Sequence, residues 1–243
     1  MPPPTWCPEC RLIRRMIAKN ESNFYRRLCA APEHSEEIIS LYSREKSLAI
    51  YDQRYWWSDE WDPFIYGSEY DFSVPFFSQF DSLTKQVPII ALDNNFTTNV
   101  NCDYCNDTWE SKNCYLCITA GYSEDSCYSK LALYSKNIFD SLWAVSTQYA
   151  YECIDTKNCY RIFFSQNVEN CMDSFFLLDC RDCTNCFGCV GLRHKKFHIF
   201  NVPYAPEDYA RKIKELWDGG YIAFMKLREE FIKFSFSYPR RYS

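Results

Sequence analysis

A short polar motif returns at nearly regular intervals in the second half of this 243-residue chain. Ser111-Lys112-Asn113 recurs as Ser135-Lys136-Asn137 and then as Thr156-Lys157-Asn158. The steps between copies fall in the range of roughly 20–25 residues that is typical of a solenoid, in which each coil hydrogen-bonds to the next. The spacing predicts a mainly β fold with a right-handed parallel β-helix over residues 101–201. Cysteine positions half a repeat away leave open a tighter solenoid whose coils are half as long.

The 15 cysteines limit the environment in which such a chain can work. Their number is odd, so they cannot all pair within one chain, and residues 1–6 lack the charged and apolar regions of a secretory signal. We therefore expect a cytoplasmic protein, in which reduced thiols bind metal or fill a core as small apolar side chains. In a solenoid, Asn113, Asn137 and Asn158 are expected to stack as a ladder at the turns.

Two groups of cysteines within the repeat have the spacing of metal ligands. They are Cys102, Cys105, Cys114 and Cys117 in the first group, and Cys180, Cys183, Cys186 and Cys189 in the second. Four thiols so placed would suit zinc or an iron–sulfur cluster. The alternative is that they form successive inward rows at the ends of the solenoid without any ion. The sequence leaves both interpretations open.

Residues 1–60 contain a second kind of cysteine pattern. Cys7 and Cys10 form a Cys-x-x-Cys knuckle, in which a tight turn directs two sulfurs toward one tetrahedral Zn²⁺. A basic helix is predicted from about residue 11 to residue 28, and Cys29 follows it as a third thiol. These features predict a zinc-ribbon-like module with Cys7, Cys10 and Cys29 among its ligands.

The fourth zinc ligand is expected near a hairpin. Residues 38–42 and 48–51 have the composition of two short strands joined by a polar turn. Asp52 follows the second strand and is favoured as the fourth ligand, because a ribbon usually places its last ligands at the end of the hairpin. His34 is the alternative.

Basic residues of the same module are candidates for contact with nucleic acid. They are Arg11, Arg14, Arg15, Lys19, Arg26 and Arg27. Basic helices beside zinc knuckles often contact phosphates. The alternative is a solvated helix face balanced by the acidic residues of 33–37. A net charge of −5 excludes coating of the whole surface by nucleic acid, so such a contact would be local.

An aromatic bridge, residues 61–100, joins the module to the repeat. Trp56, Trp57 and Trp61 favour a packed seam between the modules over a stacking platform for sugars or bases. A short helix is predicted over residues 76–87.

The tail, residues 202–243, predicts two helices that cap the last coil. Pro206 opens the first, Gly219 and Gly220 end it, and the second covers about residues 222–234. No run of about 18 apolar residues is present, so we expect no membrane span. The 6 glycines form no phosphate-binding loop, which excludes phosphate-loop and dinucleotide chemistry.

Three segments carry a resemblance to a known family. They are Cys7-Pro8-Glu9-Cys10-Arg11, the run from Tyr51-Asp52-Gln53 into Trp56-Trp57-Ser58-Asp59-Glu60-Trp61-Asp62, and Cys186-Phe187-Gly188-Cys189-Val190-Gly191-Leu192-Arg193. Their order resembles an uncharacterised family common in Candidate Phyla Radiation bacteria, sometimes labelled "CaiB/BaiF family". The resemblance implies a zinc ribbon joined to cysteine-rich repeats, often with a further repeat block, so we expect a shortened member or a fragment. The label implies a CoA transferase, but no motif here supports that chemistry.

These features predict a non-enzymatic zinc-binding scaffold or binding protein. Its expected ligands are RNA or the ribosome at the basic residues, and a protein partner on the solenoid face. The alternative is a carbohydrate-active β-helix enzyme that uses paired aspartates. Candidates for that pair are Asp140, Asp155, Asp173 and Asp179. A Cys–His nucleophile is a third option, although spacing ties none of the 3 histidines to a particular cysteine.

Overall fold

The computed structural model describes residues 5–17, 20–217 and 219–239, with the backbone alone for residues 15–17. The chain divides into two compact units, residues 1–96 and 97–243. Within the described residues, no helix is both long and apolar enough to cross a membrane.

The first unit contains short helices and two small pairs of strands. Its elements are α1 (Pro8–Ile17), β1 (Tyr25–Leu28), β2 (Glu37–Ser40), β3 (Ile50–Tyr51), α2 (Gln53–Trp56), a 3-10 turn (Pro63–Tyr66), α3 (Phe76–Gln86) and β4 (Ile89–Ile90). β1 pairs antiparallel with β2, and β3 pairs in parallel with β4. The helix expected over residues 76–87 is therefore present as α3.

Two expectations for this unit are wrong. The helix predicted over residues 11–28 ends at Ile17, because the Asn20 side chain accepts hydrogen bonds from Ser22 N–H and Asn23 N–H and so favours a turn. The predicted hairpin does not form, because β2 pairs with β1, and β3 pairs with β4, which follows α3 in the chain. Arg27 fixes the intervening loop by donating to the carbonyls of Ser43 and Leu48. A zinc ribbon is thus not confirmed.

The core of the first unit holds part of the aromatic bridge. Ile38, Ile50, Tyr51 and Tyr55 are buried there together, with smaller residues around them. The indoles of Trp56 and Trp61 pack at the margin of this core, with ring centroids 5.8 Å apart. These aromatic side chains therefore serve the packing of the first unit itself.

The second unit is a β-solenoid of about 8 turns followed by two helices. Its strands are β5 (Asn106–Trp109), β6 (Ile118–Gly121), β7 (Lys130–Leu133), β8 (Lys136–Phe139), β9 (Leu142–Val145), β10 (Gln148–Tyr151), β11 (Ile154–Lys157), β12 (Tyr160–Phe163), β13 (Gln166–Glu169), β14 (Met172–Phe175), β15 (Thr184–Phe187), β16 (Lys196–Ile199) and β17 (Val202–Pro203). The helices are α4 (Pro206–Leu216) and α5 (Tyr221–Ser235). The predicted solenoid and tail helices are confirmed, while the predicted handedness stays a prediction.

Each coil contains 12 residues. Side chains at equivalent positions of neighbouring coils hydrogen-bond to each other, and these partners are 12 residues apart in the sequence. Strands pair in parallel at the same offset, as in Ile154 with Gln166. The pairing builds two parallel sheets, one in the order β13-β11-β9-β7-β6-β5 and the other in the order β16-β15-β14-β12-β10-β8, with β17 added antiparallel. The first step of the polar motif, from Ser111 to Ser135, spans two coils. The longer predicted coil is therefore wrong, and the tighter alternative is the correct one.

Within a coil the chain repeats every three residues. Every third residue from Cys102 to Cys189 is buried, and every third residue from Asp107 to Phe200 has a positive φ. These left-handed residues turn the chain at each corner. The left-handed conformation costs a non-glycine residue about 1 kcal/mol or more in conformational free energy. Backbone hydrogen bonds to the neighbouring coils offset this cost, such as Asn113 N–H to the Val100 carbonyl at 2.8 Å.

Polar side chains inside the solenoid are satisfied by the same geometry. The Ser123 hydroxyl donates to the carbonyls of Gly121 and Ala132, and it accepts from Ser135 N–H. Buried serine therefore costs little, because its hydrogen bonds are replaced.

The expected asparagine ladder forms on two different edges. Asn113 bonds to Asn101 and Asp125, each 12 residues away, while Asn158 bonds to Asn170. Asn158 is not a whole number of coils away from Asn113, so the two side chains cannot share an edge.

The two tail helices cover more than the last coil. Phe164, Phe176 and Phe200 lie on one edge of the stack, and their rings contact Phe224, Phe231 and Phe234 of α5. α5 therefore runs along the side of several coils. α4 packs on β16, where Tyr209 contacts Phe197 with ring centroids 5.7 Å apart.

Candidate metal centre

The connection between β1 and β2 brings three possible metal ligands together. The strands end with Leu28 opposite Glu37, and Cys29 N–H donates to the Glu36 carbonyl at 3.1 Å. A turn inside the loop places His34 N–H on the Ala31 carbonyl. One sulfur of Cys29, one ring nitrogen of His34 and one carboxylate oxygen of Glu36 thereby lie within 4.8 Å of one another.

Neighbouring elements hold each of these side chains. Asp52 N–H, at the start of α2, donates to Cys29 Sγ at 3.3 Å. His34 Nδ1 lies 2.6 Å from Glu36 Oε1, and its ring contacts the Tyr55 ring edge-on at 4.6 Å. Cys29 is buried, at 6% exposure, His34 is half-buried and Glu36 is exposed. The group therefore has an apolar inner side and a side open to solvent.

The electrostatics of the group favour a cation. The hydrogen bond that His34 donates to Glu36 raises the pKa of His34, and the carboxylates of Glu60 and Asp52 add to this effect. The His34 hydrogen bond in turn lowers the pKa of Glu36. A cysteine thiolate and a carboxylate beside a neutral imidazole would carry two negative charges, which a divalent ion would neutralise.

Sulfur, nitrogen and oxygen ligands together suit zinc. Zn²⁺ accepts thiolate, imidazole and carboxylate, and three protein ligands leave one of its four positions open. Mg²⁺ and Ca²⁺ prefer oxygen ligands, so a thiolate disfavours them. The described residues thus contain one group whose chemistry fits the predicted ion.

The structure only partly unites the ligands predicted from the sequence. Cys29 and the alternative ligand His34 belong to the group, whereas Cys7, Cys10 and Asp52 do not. Cys10 lies in α1 and Cys7 directly precedes it; both are exposed, and Cys10 N–H donates to Cys7 Sγ at 3.4 Å. The Asp52 carboxylate caps α2 by accepting from Arg54 N–H at 2.9 Å. The full predicted ligand set stays a prediction.

The exposed and buried thiols should differ sharply in reactivity. The Cys7 pKa is lowered by hydrogen bonds from Cys10, whereas burial raises the pKa of Cys153 to about 12 and that of Cys159 to about 11. A lowered pKa gives more thiolate at a given pH, and the thiolate is the nucleophile. We expect iodoacetamide at pH 8 to label Cys7 at least about 100-fold faster than Cys153 or Cys159. Peptide mass spectrometry after timed quenching measures this, and labelling of Cys153 as fast as that of Cys7 would contradict it.

The predicted basic face is divided between two elements. Arg11 and Arg14 lie in α1, where Arg14 stacks over the Trp6 ring at 5.3 Å, but Arg26 and Arg27 lie in β1. Arg26 pairs with Glu37, and Arg27 donates to loop carbonyls. Lys19 lies outside the described residues, as does the side chain of Arg15. RNA contact stays a prediction.

The candidate catalytic aspartates are dispersed around the coil. Asp155 and Asp179 share one edge two coils apart, which corresponds to about 10 Å, while Asp140 and Asp173 lie on other edges. Asp173 pairs with Arg161. Asp179 lines a cavity of about 470 Å³, but its carboxylate accepts from Asn167 and Arg193. No two of these four carboxylates are shown facing each other across a cleft.

Glu36 is the candidate ligand that sequence reasoning missed. Assigning residues 25–28 to a helix concealed the pairing that places Cys29 opposite Glu36. The strand predicted at residues 38–42 is present as β2, but its partner was taken to be residues 48–51 rather than residues 25–28.

Comparison with known proteins adds no further assignment. No protein-family model matches the chain, and no curated protein matches it.

Proposed function

We propose that this protein is a non-enzymatic binding scaffold whose first unit is organised by Zn²⁺ bound to Cys29, His34 and Glu36. The observation that carries the proposal is the grouping of these three ligand atoms within 4.8 Å. The ion would join the loop between β1 and β2 into one rigid corner. Asp52 N–H on Cys29 Sγ and Tyr55 against His34 would fix the orientation of both ligands.

The solenoid supports the scaffold part of the proposal. Its outward positions carry exposed tyrosines, among them Tyr115, Tyr122, Tyr128 and Tyr134. The rings of Tyr122 and Tyr134 stack in parallel, with centroids 5.0 Å apart. Tyrosine is enriched at protein interfaces because it supplies apolar area and a polar hydroxyl at low entropic cost. We propose a protein as the partner of this surface.

A cysteine-nucleophile function is the second candidate, and the same group favours it. His34 held by Glu36 beside Cys29 is the order of base, orienting carboxylate and nucleophile that activates a thiol. The burial of Cys29 and the hydrogen bond to its sulfur favour a structural role. The carbohydrate-active alternative has less support, because Asp173 and Asp179 are engaged by arginines.

Zinc analysis with matched cysteine variants tests the proposal. We expect about one zinc per chain purified without added metal, and loss of at least about 10-fold in zinc affinity in Cys29→Ser and in Glu36→Gln. Cys153→Ser is the control, because Cys153 is also a buried, reduced cysteine but lies outside the group. It should retain the zinc. Elemental analysis and competition with a chromophoric chelator give both quantities.

Zinc that remains in Cys29→Ser would place the ion elsewhere and overturn the proposal. If the purified chain contains no zinc, if its Cys29 is alkylated rapidly, and if His34→Ala slows that alkylation, the cysteine-nucleophile function would be favoured instead.

A further inference from the structure

Four cysteines at the first coils of the solenoid form a closed ring of thiols. The offset of 12 residues stacks Cys102 on Cys114 and Cys105 on Cys117. All four are buried and pack together. Along each coil, the step of three residues places Cys105 beside Cys102 and Cys117 beside Cys114, and the four side chains form one buried cluster. Each sulfur therefore has two sulfur neighbours, and Cys102 and Cys117 are at opposite corners.

A second cluster lies in the last coils. Cys180, Cys183, Cys186 and Cys189 occupy successive inward positions of one coil, and Cys171 stacks on Cys183 at the same offset of 12 residues. Cys153, between the two clusters, has serine at the equivalent position of both neighbouring coils, Ser141 and Ser165, and burial raises its pKa to about 12.

The size of the interior does not account for this segregation. The inward positions that continue the stacks of Cys114 and Cys117 are Ser126 and Ser129, and both are fully accommodated. Serine thus fits the same sites and satisfies the same carbonyls. What cysteine adds is a polarizable sulfur that binds soft metal ions.

The charge of the interior restricts which ion would fit. The buried side chains of the described residues include no lysine, arginine, aspartate or glutamate. Four thiolates around one Zn²⁺ would leave two uncompensated negative charges in this apolar interior, which is costly. One monovalent ion per thiolate leaves no net charge, because each ion that binds displaces one thiol proton to solvent.

The ring geometry also favours two-coordinate ions. Among the described residues, only the group at Cys29 has three ligand atoms that all lie within 4.8 Å of one another. No three sulfurs of the ring are therefore close enough together for a tetrahedral site. Neighbouring thiols along each edge of the ring pack in one buried cluster and would share one ion. We propose that the two thiol clusters bind soft monovalent ions of the Cu(I) class, up to one ion per thiol.

Two double variants of the ring test this inference with equal numbers of thiols removed. Cys102→Ser/Cys117→Ser removes opposite corners and leaves no neighbouring pair, whereas Cys102→Ser/Cys105→Ser leaves the pair of Cys114 and Cys117. Reduced, full-length chain would be titrated anaerobically with Cu(I) held by a chromophoric chelator, and bound ions counted by native mass spectrometry. We expect the opposite-corner variant to lose about four ions and the neighbouring-pair variant to retain about one of them. Cys127→Ser/Cys153→Ser is the control, because neither thiol belongs to a cluster, and it should lose fewer ions than either ring variant.

Circular dichroism confirms that each variant is folded before the titration. Equal losses in the two ring variants would overturn the inference, as would a capacity that neither variant changes. Replacement of Cys171, Cys180, Cys183, Cys186 and Cys189 by serine tests the second cluster in the same way, with an expected loss of about four ions, one for each pair of neighbouring thiols. The zinc group at Cys29 is intact in all of these variants, so failure here leaves the proposed function untouched.

Discussion

Replacing Phe176 with alanine is expected to lower the free energy of unfolding of the second unit by about 3–5 kcal/mol. Phe176 is 2% exposed and lies between the solenoid edge and α5. Its ring contacts those of Phe164, Phe187 and Phe224 at centroid distances of 5.3 to 5.6 Å. Removing it leaves a cavity that the stacked coils cannot close, because hydrogen bonds fix their spacing. α5 should loosen first, since it is held to the coils through these rings.

Hydrogen exchange and denaturant unfolding measure the two parts of this effect. The Phe176→Ala substitution should accelerate the exchange of the α5 amides more than that of the amides of β9, which lies away from the helix. Phe236→Ala is the matched control, because Phe236 is 67% exposed just after α5 and should change stability by less than about 0.5 kcal/mol. Unchanged exchange of α5 in Phe176→Ala would refute the role assigned to this contact.

Replacing Ile162 with alanine is expected to cost about 2–5 kcal/mol, by a different route. Ile162 is fully buried in the solenoid interior, and its stacked neighbours in the two adjacent coils are Ala150 and Ser174. Both neighbours are small, so neither can extend into the space left by the lost carbons. The expected cost therefore lies toward the upper end of the range.

Ile154 supplies the matched control for this variant. It belongs to β11 of the same solenoid but is 45% exposed, so Ile154→Ala should cost less than about 0.5 kcal/mol. Equal destabilisation by the two variants in urea unfolding would contradict the inward position of every third residue.

The sequence predicted the solenoid correctly, because the repeated polar motif follows from the stacking of coils. The coil length was wrong, since two of the three motif copies happen to be two coils apart. The three-residue period was hidden because its inward positions mix Ser, Ala, Thr and Cys with Ile and Val, which is not a recognisable apolar pattern. Its corners include Tyr122, Trp143 and Phe164, residues that seldom adopt a positive φ.

The candidate metal site shows a different limit. Cys29 and His34 were recognised by residue type, but their neighbour Glu36 depends on which strands pair, and a local pattern cannot decide that. Cys7 and Cys10 illustrate the converse, since a familiar spacing does not by itself bring a third ligand near. Spacing along the chain identifies possible ligands, and the closure of a loop between β1 and β2 selects among them.

X-ray absorption at the zinc edge tests the central claim most directly, because it counts the sulfur ligands of the bound ion. Zinc held by Cys29, His34 and Glu36 has one sulfur at about 2.3 Å and its other ligands, nitrogen or oxygen, at about 2.0–2.2 Å. We predict that spectrum for the chain purified with its own metal. Three sulfurs would instead support a site made by Cys7, Cys10 and Cys29, and four sulfurs would place the zinc inside the solenoid. Either of those results would contradict the assignment of the metal centre to the loop between β1 and β2.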